Sequence, residues 1–208
     1  HAFTTIGLGG FSSHDASFGY WNSPLIEAVA IVFMLIASIN FATHFLVLRQ
    51  RALPPYARDP EAGLAVLAML GSAILVAVFL FGHGVYDTFP TALRYATFNV
   101  VSIASTTGYS NTDFGLWPIF APLWILYLCC FASSSGSTGG GIKMIRALVL
   151  LKQSLREFTR IVHPRAVLPV KIGGTLVCNQ VIFSVLAFML IYGGVMVAAT
   201  LMLLFSGL

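Results

Sequence analysis

The chain has 208 residues, of which 58% are hydrophobic and only 9% charged, with a formal net charge of +4 and a mean hydropathy of +0.89. A water-soluble domain carries roughly a quarter charged residues, so this composition excludes one and points to an all-α polytopic membrane protein. Cys129, Cys130 and Cys178 sit in apolar surroundings without metal-ligand spacing and read as free thiols. No charged leader with a cleavage site follows His1, so the sequence is expected to be a piece of a longer chain.

Near the start, Gly10-Phe11-Ser12-Ser13-His14-Asp15 reads Gly–aromatic–Ser–x–x–Asp. The apolar run from Pro24 to Leu48 predicts a first span and Leu64 to Phe81 a second, a helical crossing needing about 20 residues. Glu27, at the outer end of the first span, reads as a vestibule or interfacial charge. Asn40 and His44, one turn apart, suit interhelical hydrogen bonds. His14 and His83 are expected to be exposed.

Asp87 or Thr88 can cap the next helix, with Pro90 in its first turn. Thr91 to Ala104 then supplies about four turns. This segment is too short to cross and too polar to face lipid, so it predicts a re-entrant half-helix, tolerated only against protein or a wet cavity. Its C-terminus carries partial negative charge toward the centre, which favours a cation. Arg94 is expected to pair with an external acid such as Asp87. The stretch Ser105-Thr106-Thr107-Gly108 follows, and Gly108-Tyr109-Ser110-Asn111-Thr112-Asp113 repeats the first pattern 98 residues on.

Aligned without gaps, Gly108 falls on Gly10, and Thr106 and Thr107 on Leu8 and Gly9. A repeated Gly-rich loop at the mouths of membrane helices suits a ring of backbone carbonyls that replaces a cation's hydration water. Glycine accepts the unusual φ and ψ values this needs. The candidate ion-binding residues are therefore Leu8, Gly9, Gly10, Thr106, Thr107 and Gly108. The plainer alternative is a pair of ordinary external turns.

Trp117 to Leu151 predicts a third span, broken by Ala132-Ser133-Ser134-Ser135-Gly136-Ser137-Thr138-Gly139-Gly140-Gly141. Each glycine costs about 1 kcal/mol of helix stability relative to alanine, and the break falls near mid-membrane. The helix is expected to resume around Ile142 to Arg146. Ser135 through Gly141 form a candidate gate beneath a filter, with a small-residue packing seam as the alternative. A phosphate-binding loop is not matched, because Ile142 intervenes before Lys143 and Met144 follows it. An intramembrane serine nucleophile at Ser135 or Ser137 lacks a base, so no enzyme is expected. Ile172 to Phe205 predicts a long fourth span, with bends at Gly173-Gly174 and Gly193-Gly194.

Ten of the eleven Lys and Arg residues lie in two stretches, Arg49 to Arg58 and Lys143 to Lys171. The positive-inside rule places both in the cytoplasm and both Gly–aromatic–Ser loops outside. Asp15, Asp87 and Asp113 then form an acidic outer vestibule that concentrates cations.

Three motifs together resemble one family: His1 to Asp15, Ser105 to Ser110, and Ser135-Gly136-Ser137-Thr138-Gly139-Gly140-Gly141-Ile142-Lys143. They look like the Trk/Ktr/HKT superfamily of cation transporters, and most like its TrkH branch. The resemblance implies helix–pore-loop–helix (M1–P–M2) repeats around a pseudo-fourfold pore. Residues 1–60 would be the filter strand and M2 of the second repeat, 61–165 the complete third repeat with its intramembrane loop, and 166–208 M1 of the fourth. It implies potassium as substrate at filter glycines Gly10 and Gly108, and a gate at Ser133 to Gly141. It also implies a homodimer in the bacterial inner membrane with no cofactor of its own, no nucleic-acid partner, and a cytosolic TrkA-type subunit that binds the regulating nucleotide. The basic stretch Lys152 to Arg165 is a candidate docking surface or simply a cytoplasmic loop. A secondary transporter with a midplane site at the broken helix is the alternative.

Overall fold

The computed structural model describes residues 1–163 and 168–207, so Arg165 and the boundary expected between residues 165 and 166 lie outside the described residues. The chain forms two compact units, His1–Met144 and Ile145–Leu208.

In the first unit a short helix α1 (Ala2–Ile6) leads through the first loop and a 3₁₀ turn (Ser17–Tyr20) into α2 (Pro24–Ala37). The predicted span from Pro24 to Leu48 is not one helix. It breaks at Ser38–Asn40, and α3 (Phe41–Gln50) leaves α2 at 93°. The cause is local. The Asn40 side chain accepts a hydrogen bond from the Ala42 amide at 2.9 Å and starts a new helix, while Ser38 turns its hydroxyl back to the Leu35 carbonyl at 2.7 Å. The single broken span expected from the sequence is thus accompanied by a second interruption.

The short helix α4 (Pro54–Arg58) precedes α5 (Pro60–Gly82), which is long and apolar enough to cross a membrane. Asp59 caps α5 through hydrogen bonds from the Glu61 and Ala62 amides, and Pro60 occupies the first turn. The predicted half-helix is α6 (Phe89–Ala104), ending where the sequence placed it and starting two residues earlier, with Pro90 in its first turn. A 3₁₀ turn (Phe114–Leu116) and α7 (Phe120–Cys129) follow.

The core lies where α5, α6, α2 and α7 meet. Met69, Val76 and Leu80 of α5, Phe98 and Val101 of α6, Met34 of α2 and Ile125 of α7 are buried. Ala73 and Ala77 of α5 share the buried cluster with Ala96 of α6, and such small residues let helix backbones approach closely. Leu67, Ile74 and Val78 on the outer side of α5 remain exposed, as lipid-facing residues do, so close packing between helices rather than removal of this face from water holds the unit together.

In the second unit α8 (Met144–Val162) is followed by a two-stranded hairpin, β1 (Lys171–Ile172) and β2 (Thr175–Leu176), and by α9 (Asn179–Phe205). Gly173 and Gly174 form the hairpin turn at positive φ. They do not bend a span, and α9 runs through Gly193-Gly194 unbroken. Val149, Val170, Ile182 and Val185 make its small core, and the Arg146 guanidinium stacks over the Phe188 ring at 4.1 Å.

Candidate functional site

The 98-residue repeat recurs in the local backbone geometry of the two loops. Helix α1 ends at Ile6 and α6 at Ala104, and their caps Gly7 (φ −74, ψ −7) and Ser105 (φ −75, ψ −4) have the same geometry. The Gly9 amide donates to the Thr4 carbonyl at 2.8 Å, and the Thr107 amide to that of Ser102 at 2.8 Å. The Thr4 hydroxyl donates to the Phe11 carbonyl and the Ser102 hydroxyl to that of Tyr109. Positive φ recurs in register, at Leu8 (49°) and Thr106 (64°), and at Gly10 (67°) and Gly108 (88°). Left-handed backbone at a leucine and a threonine is unusual, and it recurs here at equivalent positions of the two loops.

The two loops also touch. A methyl group at Gly10 would lie 2.0 Å from the Thr107 carbonyl oxygen, so only glycine fits there. Tyr109, fully buried, places its hydroxyl on the Thr4 hydroxyl and the His1 carbonyl. The Phe18 amide donates to the Ser110 carbonyl at 2.9 Å. All six candidate ion-binding residues are therefore on two directly joined strands. Phe11, the counterpart of Tyr109, is 77% exposed.

Behind the second strand lies a polar network that the sequence did not foretell. Glu27 is buried and forms an ion pair with Arg94 at 2.6 Å, which corrects the pairing with Asp87. Its Oε2 also accepts a hydrogen bond from the Asn111 amide group at 3.0 Å, and Asn99 of α6 donates to Asn111 Oδ1 at 2.7 Å. Arg94 reaches Asn22 as well. Glu27 thus fastens α2 to α6 and to the loop after Gly108, as a buried carboxylate rather than an exposed charge. Of the histidines, His83 is exposed, whereas His14 is half-buried and stacks on Tyr20. His44 bonds to the Tyr56 hydroxyl of α4 at 2.6 Å and to the Ile36 carbonyl.

The Gly-rich segment between α7 and α8 is a compact loop that contacts the end of α1, the start of the second strand and the ends of α2 and α6. The Thr138 hydroxyl donates to the Ile6 carbonyl at 3.0 Å, and the Gly140 amide to the Thr106 hydroxyl at 2.6 Å. The Ser134 amide donates to the Ser38 carbonyl and the Phe41 amide to that of Gly136, so the kink between α2 and α3 receives the loop. Ser135 bonds through its amide and its hydroxyl to Glu61. Within the loop the Ser137 hydroxyl donates to the Ser134 carbonyl and that of Ser133 to Gly140. Gly141 is forced, because a side chain there would meet the Cys129 and Cys130 carbonyls at 2.7 Å, and a side chain at Gly136 would meet Asn40 Oδ1 at 2.7 Å. The segment Ser135 through Gly141 thus meets Ile6 through Thr138 and Thr106 through Gly140.

Sequence reasoning misread Glu27 and missed the roles of Asn99, Asn111, Glu61 and the pair Thr4 and Ser102. The last pair had a signal: the 98-residue register extended backwards aligns two hydroxyl residues. The acids had none, since each bonds to a residue at least 67 positions away.

Fold and site define a helical membrane protein built on a repeated short-helix-and-loop element. The TrkH family model, described as a cation transport protein, matches residues 1–204, and the chain belongs to that family. It is 39% identical over 207 residues to the Trk system potassium uptake protein TrkH of Salmonella typhimurium, covering 100% of this chain and 43% of that protein. It is 43% identical over 192 residues to that of Halomonas elongata, covering 92% of this chain and 40% of that protein. The crystal structure of the potassium transporter TrkH from Vibrio parahaemolyticus superposes with a TM-score of 0.95 at 38% identity, over 100% of this chain and 45% of that one. The chain thus spans less than half the length of these relatives.

Proposed function

We propose that this chain supplies two strands of a potassium-selective pore through a bacterial inner membrane. Leu8, Gly9 and Gly10 face Thr106, Thr107 and Gly108 across part of a four-sided filter. The carrying observation is the paired backbone: positive φ at the first and third residue of each strand but not the second. Alternation between left-handed and ordinary backbone is a pattern by which successive carbonyls can be brought to one side, as a filter that replaces hydration water requires. Helix α6 is then the pore helix of an M1–P–M2 repeat whose M1 is α5, its C-terminal end directed at the ion. The names of the relatives supply potassium as the substrate.

Ser135 through Gly141 act as the gate in this reading, supported by their bonds to Ile6 and Thr106 at the inner end of the strands. The filter loops lie outside and the basic segments in the cytoplasm. The complete protein works as a homodimer with a cytosolic TrkA-type subunit that carries the nucleotide. The test is Gly108→Ser in the full-length protein, read as the reversal potential under opposed potassium and sodium gradients. Loss of potassium preference is expected. An unchanged reversal potential would remove the strand from the filter.

A further inference from the structure

The Gly-rich loop holds a conformation with internal costs. The Ser134 hydroxyl is buried with no hydrogen-bond partner among the described residues, and Lys143, at the loop's end, sits at φ +77, a region that favours glycine. A loop in that state needs an external hold. Two charged groups bond to it: the Lys143 ammonium, at the loop's own end, donates to the Gly139 carbonyl, and the Glu61 carboxylate holds it from a neighbouring helix. Glu61 is 7% exposed, and both of its oxygens are taken by one residue, Oε2 by the Ser135 amide at 2.6 Å and Oε1 by the Ser135 hydroxyl at 2.9 Å. Hydrogen bonds to a buried carboxylate are the strong kind, and the pairing fixes both position and orientation of the acceptor.

Glu61 itself is held from behind. Its own amide donates to Asp59 Oδ1, and Asp59 Oδ2 accepts from the Thr43 hydroxyl at 2.6 Å, which links the first turn of α5 to α3. The Ser135 attachment thus leads back to α3 and α5, while Thr138 and Gly140, a few residues on, attach to the strand ends. The loop is stretched between the candidate filter and a carboxylate fixed on the neighbouring helices.

We propose that Glu61 is a positioning residue that clamps the Gly-rich loop through Ser135, and that release of Ser135 from Glu61 is a step in moving the loop out of the ion path. This rests on reading the loop as a gate. A purely structural Glu61, favouring the N-terminus of α5 by its charge, would affect folding but not the balance between open and closed states.

The test uses the full-length protein in proteoliposomes, with potassium flux and single-channel open probability as readouts. Its variants are Glu61→Gln, Ser135→Ala, the double variant, and a protein with one glycine of Gly139–Gly141 deleted. Glu61→Gln is expected to raise the open-to-closed ratio about tenfold, the weight of a charged hydrogen bond. Ser135→Ala, which keeps the amide, should raise it less, and the double variant should fall short of the product of the two. A normal open probability in Glu61→Gln and Ser135→Ala, alongside raised flux in the glycine deletion, would overturn the clamp while keeping the gate. Normal flux in the deletion as well would overturn both. Should Glu61→Gln fail to fold, Ser135→Ala alone decides between these outcomes.

Discussion

Gly9 and Gly10 are adjacent, look alike in the sequence, and should respond very differently to alanine. At Gly10 the backbone is left-handed (φ +67), and a Cβ would lie 2.0 Å from the Thr107 carbonyl oxygen. Left-handed backbone costs a non-glycine residue about 1–2 kcal/mol, and the overlap adds about 1–3 kcal/mol of overpacking. Separating the atoms to 3.0 Å, the least that real contacts show, moves the Thr107 carbonyl or the first strand by about 1 Å. That carbonyl is a proposed ion ligand, so Gly10→Ala should lose both stability (about 2–5 kcal/mol) and potassium selectivity. At Gly9 φ is not left-handed, and the nearest atom to a Cβ is in the Phe11 ring at 3.3 Å, on an exposed side chain that can turn aside. Gly9→Ala should cost under about 1 kcal/mol and keep selectivity. The assay is thermal unfolding of the full-length protein in detergent, paired with potassium uptake in a potassium-requiring strain. Equal behaviour of the two variants, or near-native Gly10→Ala, would refute the close approach of the strands.

Two further substitutions probe what lies behind the strands. Glu27→Ala leaves Arg94 and Asn111 without their buried carboxylate and should destabilise the protein by about 3–5 kcal/mol, with Glu27→Gln intermediate because it keeps an acceptor for Asn111; denaturant midpoints measure both. Tyr109→Phe removes only the hydroxyl contact to Thr4 and His1 and should cost about 1 kcal/mol. A loss of more than about 3 kcal/mol on the same unfolding assay would mean the ring packing, not that bridge, was disturbed.

Much of this architecture was legible because it is written locally. The end of α6 at Ala104, the break after α7 and the equivalence of Gly10 with Gly108 follow from glycine placement, helix caps and a repeat, all of which act over a few residues. The kink after Ala37 was hidden because the apolar run continues past it to Leu48, and the residues that turn the chain, Ser38 and Asn40, are small and polar in a way hydropathy barely registers. Glu27, Arg94 and Glu61 were misread or passed over for a different reason. A lone charge near the end of a span is ordinarily interfacial, and what makes these structural is a partner brought close only by the tertiary fold. Gly173-Gly174 and Gly193-Gly194 show the converse: the same dipeptide is a hairpin turn in one place and continuous helix in the other, because neighbouring residues decide whether glycine's freedom is used.

The central claim is that Leu8–Gly10 and Thr106–Gly108 present main-chain oxygens to one dehydrated cation. Crystals of the full-length protein grown in thallium or rubidium test it most directly. The account predicts anomalous density on the axis between the two strands, within coordination distance of carbonyls from both and displaced by excess potassium. Density confined to the acidic residues outside, or carbonyls of the two strands aimed away from any shared site, would contradict it.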